Sequence, residues 1–382
     1  MIVKEVSAGK IKDTRGEDTI SITIKTDAGT FSSSAPNGKS KGKFESKPYK
    51  KSLSGDVQTI KKIFDYFEEI EIEEFSDLAE IEEICEKQIG ANTLYALESC
   101  VLKALAKEQG KEVFQLINEK AKTIPTFIQN VVGGGKHSKG KKPDFQEFLL
   151  ISDNVENNLK AYDELKILLK KKDEHFEGKK NDENAWQTSL NEKQVLDILT
   201  SLRDKYKFQI GVDIAASTFY SRKRYYYNNP KLIRSAEEQM EYIKSLINNF
   251  SLFYIEDPFQ EEDFDSFSEL IKSFPGTLIV GDDLTVTNPE KVERAIELQS
   301  ISAMIIKPNQ IGSLLKVKEV VDLCKEHRIK TIFSHRSGET SENILADLAI
   351  GFEADYIKCG IQGQGRNQKI DRILQIGEML ER

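Results

Sequence analysis

The sequence has few of the residues from which disulfide frameworks and zinc sites are built. It contains only 4 cysteines and 4 histidines among 382 residues. Cys85, Cys100, Cys324 and Cys359 lie far apart and show neither a CxxC nor a Cys/His metal spacing. This pattern argues against both kinds of site. We therefore expect reduced, structural thiols and a cytoplasmic location.

Long apolar runs and an excess of positive charge are also missing. No stretch approaches the roughly 20 apolar residues of a membrane span, and the N-terminus lacks a basic start followed by an apolar core. The net charge of -8 argues against a nucleic-acid-binding surface as the main function. The composition predicts a soluble intracellular protein that binds neither nucleic acid nor membrane.

The first third of the chain predicts a small α+β domain. Ile20, Ile22 and Ile24 alternate with polar residues and are followed by a turn, which indicates a hairpin. Apolar residues then recur at helical spacing until an extended segment begins at Pro125. We predict domains at 1–124 and 125–382. Residues 35–42 are rich in Gly, Ser and Pro, a composition that favours a linker and leaves a lid as the alternative.

Short apolar runs recur in the second half of the chain, and each ends in a charged or titratable residue. The intervals between them leave room for a helix, so we predict a (β/α)8-type barrel with its site at the C-terminal strand ends. Ordinary strand-capping polar residues are the alternative, but a series in register favours a ring around one mouth. The residues that end the runs are Asp213, Glu256, Asp282, Lys307, His335 and Lys358.

Asp213, Glu256 and Asp282 follow three successive strands, so their carboxylates can converge. Converging carboxylates repel one another unless a hard cation is bound, and an all-oxygen ligand set suits Mg²⁺ better than zinc. Across the mouth stand Lys307, His335, Arg336 and Lys358, a positive half-ring. A substrate that carries a carboxylate and a phosphate would bridge the two halves.

Lys307 is the candidate base of this ring. Like charges and burial both disfavour a protonated amine, so we expect the pKa of Lys307 to be low enough for proton abstraction. Removal of a proton beside a carboxylate places further negative charge on that group, and a divalent metal is the available stabiliser.

Six motifs lie in the same order along the chain as in a known family. They are FQEF at 145–148, GVDIAAS at 211–217, YIEDPF at 254–259, GDDLTVTNP at 281–289, IKPNQIGS at 306–313 and SHRSGET at 334–340. Through these motifs the sequence resembles the enolase family over nearly the whole chain. The resemblance implies an enolase-like barrel with a smaller N-terminal α+β domain. It also implies Mg²⁺-dependent, reversible dehydration of 2-phosphoglycerate to phosphoenolpyruvate, a lyase reaction of glycolysis and gluconeogenesis.

The resemblance also implies individual roles. Lys307 matches the base that takes the C2 proton, and Glu183 matches the acid that assists departure of the C3 hydroxyl, with Glu147 beside it. A Lys or His base working with one or two Mg²⁺ ions is the general arrangement of the enolase superfamily, so the resemblance supplies this role. The other matches are Asp213, Glu256 and Asp282 for the first Mg²⁺, Ser40 for a second Mg²⁺, Arg336 and Ser337 for phosphate, and Lys358, His335 and His137 for substrate.

Some positions depart from the family pattern. The family's GDEGG reads NDENA at 181–185, so two glycines after Glu183 are replaced and we expect its backbone placement to change. The positions matched to the family's dimer ion pair are Ser21 and Gln375, neither of which is charged. A homodimer therefore stays open.

Three functions are compatible with these observations. The first is a working enolase. The second is a related metal-dependent acid dehydratase or isomerase with another substrate, which the retained SHRS cluster argues against. The third is a weakly active binding protein built on the enolase fold, which the NDENA change could produce.

Overall fold

A computed structural model of the chain describes residues 1–39, 43–63, 66, 70–85 and 87–381. In this described part of the chain, an N-terminal region with three strands and four α-helices precedes a barrel. Among the described residues, no helix is both long and apolar enough to span a membrane. The N-terminal elements are β1 Glu5–Lys12, β2 Asp18–Thr26, β3 Gly29–Ser34, α1 Leu53–Ile63, α2 Leu78–Cys85, α3 Ala91–Gln109 and α4 Val113–Ile117.

The N-terminal sheet forms because alternate residues of β2 are apolar. Ile20, Ile22 and Ile24 are fully buried on one face, against which α3 packs. The predicted hairpin is confirmed: β2 pairs antiparallel with β3, from Thr26 opposite Gly29 onward. Gly110 directly follows the last residue of α3 and caps it, and its positive φ of 66° favours glycine.

The rest of the chain alternates strands and helices. Its elements are β4 Thr126–Gly133, β5 Glu147–Ser152, α5 Val155–Lys172, β6 Trp186–Gln187, α6 Glu192–Tyr206, β7 Gln209–Asp213, β8 Tyr220–Ser221, β9 Arg224–Asn228, β10 Lys231–Arg234, α7 Ala236–Phe250, β11 Tyr254–Glu256, α8 Phe264–Ser273, β12 Leu278–Gly281, α9 Pro289–Glu297, β13 Ala303–Ile306, α10 Pro308–Ile311, α11 Leu314–Glu326, β14 Lys330–Ser334, α12 Ile344–Gly351, β15 Tyr356–Gly360 and α13 Asn367–Leu380.

Eight of these strands close into a barrel, which confirms the predicted fold class. The order is β4, β5, β7 and β11 to β15, and β15 pairs back to β4. Strands β8, β9 and β10 form a separate antiparallel sheet, and β6 adds to β4.

One strand departs from the all-parallel arrangement that the sequence suggested. Strand β5 runs antiparallel to both of its neighbours, β4 and β7. A parallel connection needs a crossover, usually a helix. The segment between β4 and β5 holds only the 3₁₀ turn Gly135–His137, so the chain turns straight back.

Polar caps set where most barrel helices begin. In each case the side chain of the capping residue accepts a hydrogen bond from the N–H three residues later, which satisfies a donor that the helix leaves unpaired. These capping residues are Asn154, Asn191, Ser235, Asp263, Asn288 and Ser313.

Candidate active site

The barrel interior is filled by apolar side chains, and the alternation of the strands places polar side chains directly above them. Side chains two residues apart on a strand share a face. Interior core residues include Tyr254, Val280, Ile305 and Ile332. The residues two positions further along the same strands are Glu256, Asp282, Lys307 and Ser334.

Glu147 reaches the same mouth from the opposite chain direction. It begins β5, two residues before the interior residue Leu149. Because β5 is antiparallel, its first residue lies beside the last residues of its neighbours, with Glu147 opposite Asp213 and Gly133. The antiparallel strand β5 therefore brings the carboxylate of its first residue to this mouth. A parallel strand would have brought its last residue there.

Lys358 lies at the centre of the acidic side of the mouth. Its Nζ is 2.7 Å from Glu256 Oε2, 2.9 Å from Glu147 Oε2 and 3.2 Å from Asp213 Oδ2. Burial lowers the pKa of Lys358, but these three carboxylates outweigh it and hold the pKa well above its usual range. Burial also raises the pKa of Glu256 to about 8, with Asp213 adding to the rise and Lys358 opposing it. The single ammonium is too little positive charge for the surrounding carboxylates.

The three predicted metal ligands share an unusual feature. Asp213 Oδ1, Glu256 Oε1 and Asp282 Oδ1 are buried and have no hydrogen-bond partner in the described part of the chain. The second oxygen of each carboxylate contacts a lysine: Lys358 for Asp213 and Glu256, and Lys307 for Asp282. Unpaired buried oxygens are costly, and oxygen donors suit Mg²⁺. Among the described residues, however, the carboxylate oxygens of these three do not all lie within 4.8 Å of one another.

Lys307 contacts Asp282 directly through its ammonium group. Burial, Arg336 and Lys358 lower the pKa of Lys307, but the Asp282 carboxylate outweighs them and the net shift is upward. The expectation of a lowered pKa is therefore wrong for this arrangement. The sequence showed the like charges but could not show that Asp282 lies in contact with the amine.

A second acidic group lies beneath Asp282. The carboxylate of Asp257 accepts hydrogen bonds from the backbone N–H of Asp282 at 3.1 Å and of Asp283 at 2.8 Å. Ligand oxygens of these three residues lie within 4.8 Å of one another. Asp257 thereby fixes the backbone that carries Asp282.

His137, Glu147 and Glu183 form a cluster on another side of the cavity. His137 Nδ1 is 3.6 Å from Glu147 Oε1 and from Glu183 Oε1, while Asn130 donates to Glu183 Oε2 at 2.9 Å. Burial lowers the pKa of His137, so the ring is neutral near pH 7. Burial raises the pKa of Glu147 well above its usual range, Lys358 opposes the rise, and Glu183 adds to it. Glu147 is therefore harder to ionise than an exposed glutamate.

The NDENA segment holds Glu183 through local hydrogen bonds. Asn181 Oδ1 accepts from the N–H of Glu183 and of Ala185, both at 2.9 Å. Asn184 adopts a φ of 63°, a conformation that glycine favours and asparagine tolerates. Replacement of the first glycine after Glu183 by Asn184 therefore does not by itself displace Glu183.

The segment after β14 carries the predicted phosphate-binding groups. Arg336 donates through Nη2 to both carboxylate oxygens of Glu45 at 3.1 Å, and its backbone N–H donates to Glu339 Oε1 at 2.8 Å. Ser337 Oγ accepts hydrogen bonds from Arg15 Nη1 at 2.8 Å and from the backbone N–H of Lys39 at 2.9 Å. Three groups from the N-terminal region, the Arg15 and Glu45 side chains and the Lys39 N–H, therefore contact the predicted phosphate-binding residues.

The first predicted lid contacts this segment. Asn37 and Gly338 exchange backbone hydrogen bonds of 2.7 and 2.9 Å, and Lys39 Nζ is 2.7 Å from Asp182 Oδ2. A side chain at Gly38 would overlap the Arg336 guanidinium. Ser40, the predicted ligand of a second Mg²⁺, lies outside the described residues.

One small cavity, of about 30 Å³, collects most of the predicted residues. Glu256 is fully buried and contacts Lys358, which lines the cavity. The predicted residues that line the cavity are His137, Glu147, Glu183, Asp213, Asp282, Lys307, His335, Arg336, Ser337 and Lys358.

Several residues of this site were not predicted from the sequence. Gln146 lines the cavity and lies within the FQEF motif, so its position beside Glu147 was a usable signal. Glu45 follows the lid closely, but nothing in the sequence pairs it with Arg336. Arg15 lies in a turn between β1 and β2, with no local pattern that connects it to Ser337.

Comparison with known proteins adds a separate observation. Residues 121–382 match the family described as "Enolase, C-terminal TIM barrel domain". The chain is 38% identical over 308 residues to the enolase of Pyrobaculum aerophilum, covering 77% of this chain and 74% of that one. It is 33% identical over 405 residues to the enolase of Methanosphaera stadtmanae (99% and 97%), and 31% identical over 401 residues to that of Archaeoglobus fulgidus (100% and 98%).

Proposed function

The chain belongs to the enolase family, and we propose that it catalyses the reversible, Mg²⁺-dependent dehydration of 2-phosphoglycerate to phosphoenolpyruvate. The observation that carries the proposal is the set of buried, unpartnered oxygens on Asp213, Glu256 and Asp282. Asp213 and Asp282 line a cavity that Arg336 and Ser337 also line, and Glu256 contacts Lys358 of the same cavity. A doubly anionic substrate is what such a pairing of acidic and basic walls would bind.

The metal would be held by Asp213, Glu256 and Asp282, with Ser40 as the proposed contributor to a second Mg²⁺. Divalent cations supply charge stabilisation to the substrate carboxylate when proton loss makes it more negative. Ligation of Asp282 would also weaken the charge that now raises the pKa of Lys307, because the carboxylate would no longer face the amine alone.

The chain's own groups then have distinct tasks. Lys307 Nζ accepts the proton from C2. Glu183 assists departure of the C3 hydroxyl as water, and Glu147 lies in the same cluster. The guanidinium of Arg336 and the hydroxyl of Ser337 bind the phosphate, as charge-assisted hydrogen bonds to phosphate are strong.

The remaining substrate contacts come from both sides of the cavity. Lys358 and His335 contact the substrate, and His137 does so from the 3₁₀ turn Gly135–His137. Exclusion of water by the lid at residues 35–42 strengthens each charge contact inside the cavity.

The test is phosphoenolpyruvate formation from 2-phosphoglycerate, followed by absorbance with and without Mg²⁺. We expect turnover only with the metal, and we expect Lys307→Gln to lower kcat by about 10³-fold or more, since it removes the base. Lys318→Gln, on an exposed position of α11, is the matched control and should keep the parent activity.

Two other outcomes would reject the proposal in different ways. Tight binding of 2-phosphoglycerate by the parent protein without turnover would favour a binding protein. Turnover restricted to non-phosphorylated acids would favour a related dehydratase or isomerase.

The proposal includes the organisation of the chain. We place an N-terminal capping domain at 1–124, with residues 35–42 as a lid, and the barrel domain at 125–382. A cytoplasmic location accords with four free and buried cysteines. A homodimer would have to form without the family's ion pair, since Ser21 and Gln375 are uncharged.

A further inference from the structure

Arg366 is a buried cation behind the predicted phosphate-binding segment. It lies immediately before α13, its side chain is only 1% exposed, and it is among the largest fully buried side chains of the described residues. A buried guanidinium normally has a carboxylate partner, because transfer of an unpaired charge out of water costs several kcal/mol.

The contacts of Arg366 are all to neutral oxygens. Nη2 donates to the backbone carbonyl of Ser337 at 2.9 Å and of Arg336 at 3.4 Å, and Nη1 donates to Thr14 Oγ1 at 3.3 Å. Nε is buried without a hydrogen-bond partner in the described part of the chain. Within the described ranges, the guanidinium forms no ion pair.

Lys369, three residues further along the chain, is a buried cation that does have a carboxylate partner. Its side chain is also buried, but its Nζ lies 2.7 Å from Glu339 Oε2 and donates to the carbonyls of Glu342 and Gly365 at 2.8 Å. Two buried cations three residues apart thus differ within the described part of the chain: Lys369 forms an ion pair, whereas Arg366 interacts electrostatically with Glu183 without forming one.

The carbonyls that Arg366 binds belong to the peptide units of the phosphate-binding segment. In a trans peptide the N–H points opposite to the C=O. Arg366 therefore turns the N–H groups of Ser337 and Gly338 away from itself. The Gly338 N–H donates to Asn37 O at 2.9 Å, whereas the Ser337 N–H has no acceptor in the part of the chain that the structure describes.

The positive charge of Arg366 also reaches the cavity. Burial lowers the pKa of His335 well below its usual value, and Arg366, Lys358 and Lys369 lower it further, while Glu183 opposes them. His335 lines the cavity together with Ser337. An anion bound there would therefore be attracted by the charge of Arg366, with the Arg336–Ser337 backbone lying between them.

We propose that Arg366 is a positioning residue for anion binding: its guanidinium orients the Ser337 peptide N–H toward a bound phosphate and supplies an unneutralised charge that the phosphate compensates. Its place in catalysis rests on the proposed function, but anion binding itself does not. A residue kept for stability alone would have been paired like Lys369.

The experiment measures inorganic phosphate binding by calorimetry and the unfolding midpoint of the unliganded protein. We expect Arg366→Gln to weaken phosphate binding about tenfold or more, equivalent to about 1.4 kcal/mol. Its unfolding midpoint should stay within about 2 °C of the parent or rise, since an unpaired buried charge is removed while an amide donor is kept.

Two further variants separate charge from structure. Arg366→Lys keeps the charge and should recover part of the phosphate affinity that Arg366→Gln loses. Lys369→Met is the matched control: it leaves Glu339 buried and unpaired, and should lower the unfolding midpoint clearly. In steady-state assays, Arg366→Gln should raise KM for 2-phosphoglycerate more than it lowers kcat.

The proposal is overturned if the three proteins with Arg, Lys or Gln at position 366 bind phosphate equally well. It is also overturned if Arg366→Gln lowers the midpoint as much as Lys369→Met with phosphate affinity unchanged. Because phosphate binding needs no turnover, a parent protein without 2-phosphoglycerate activity would reject the proposed function and leave this test intact.

Discussion

Glu98 offers a quantitative test of how burial controls stability in this protein. It lies on α3, is fully buried, and its Oε2 accepts the backbone N–H of Leu314 at 2.7 Å. Its Oε1 has no hydrogen-bond partner among the described residues. Burial raises the pKa of Glu98 well above its ordinary value of 4.5, and the charge of Glu82 adds to this rise. The carboxyl group therefore favours its protonated form in the folded protein.

The direction of the pH dependence follows from this shift. A raised folded-state pKa means that folding retains a proton, so the contribution to stability is complete below pH 4.5. It is lost as the pH rises from 4.5 toward the folded-state pKa, at about 1.4 kcal/mol per pH unit. At pH 7 the loss is therefore at most about 3.4 kcal/mol.

Glu98→Gln removes this titration and keeps an oxygen that can accept the Leu314 N–H. The new amide can also donate to Glu82, which now contacts Ser313. We expect the variant to be more stable than the parent at pH 7 by about 1 to 3 kcal/mol, with the gain shrinking toward zero at pH 4.5.

The assay is urea unfolding at pH 4.5, 6 and 7.5, with Glu108→Gln at the exposed end of α3 as control. The control should show no gain that grows with pH. The reasoning is refuted if Glu98→Gln is destabilised by the same amount at all three pH values, because the carboxylate would then be a needed charge and not a buried acid.

Three further predictions concern the candidate site. Asn184→Val should lower kcat and destabilise the protein by about 1–2 kcal/mol, since a β-branched residue disfavours the left-handed φ of 63°, whereas Asn184→Gly should retain activity; retained activity in the valine variant would contradict this. Gly38→Ala should raise KM at least about tenfold by displacing the Arg336 guanidinium, and an unchanged KM would count against the close approach of Gly38 to Arg336. Mg²⁺ should raise the thermal unfolding midpoint, and Asp213→Asn should abolish that rise; an equal rise in both proteins would place the metal elsewhere.

The site was readable from the sequence where it depends on strand periodicity. Asp213, Glu256, Asp282, Lys307 and Lys358 follow short apolar runs, and a barrel must present the ends of its parallel strands at one mouth. That these five side chains lie at the same mouth of the barrel could therefore be predicted before any coordinates. Glu147 was found through the resemblance, because no periodic argument anticipates an antiparallel second strand.

Contacts between distant parts of the chain were outside the reach of the sequence. Arg15 and Ser337 are 322 residues apart, and Arg336 and Glu45 are 291 apart, yet each pair is in contact in the folded chain. Such pairs depend on how the N-terminal region packs on the barrel. No local pattern encodes that geometry.

The charge states of the site residues, like these contacts, depend on the tertiary structure. The residue types around Lys307 suggested a lowered pKa, but the Asp282 carboxylate in direct contact reverses the direction. Periodicity assigns side chains to one face of a strand, and so it determines which groups meet at the mouth. Coulomb energy falls with distance, so the balance among those groups is settled by separations that exist only once the chain has folded.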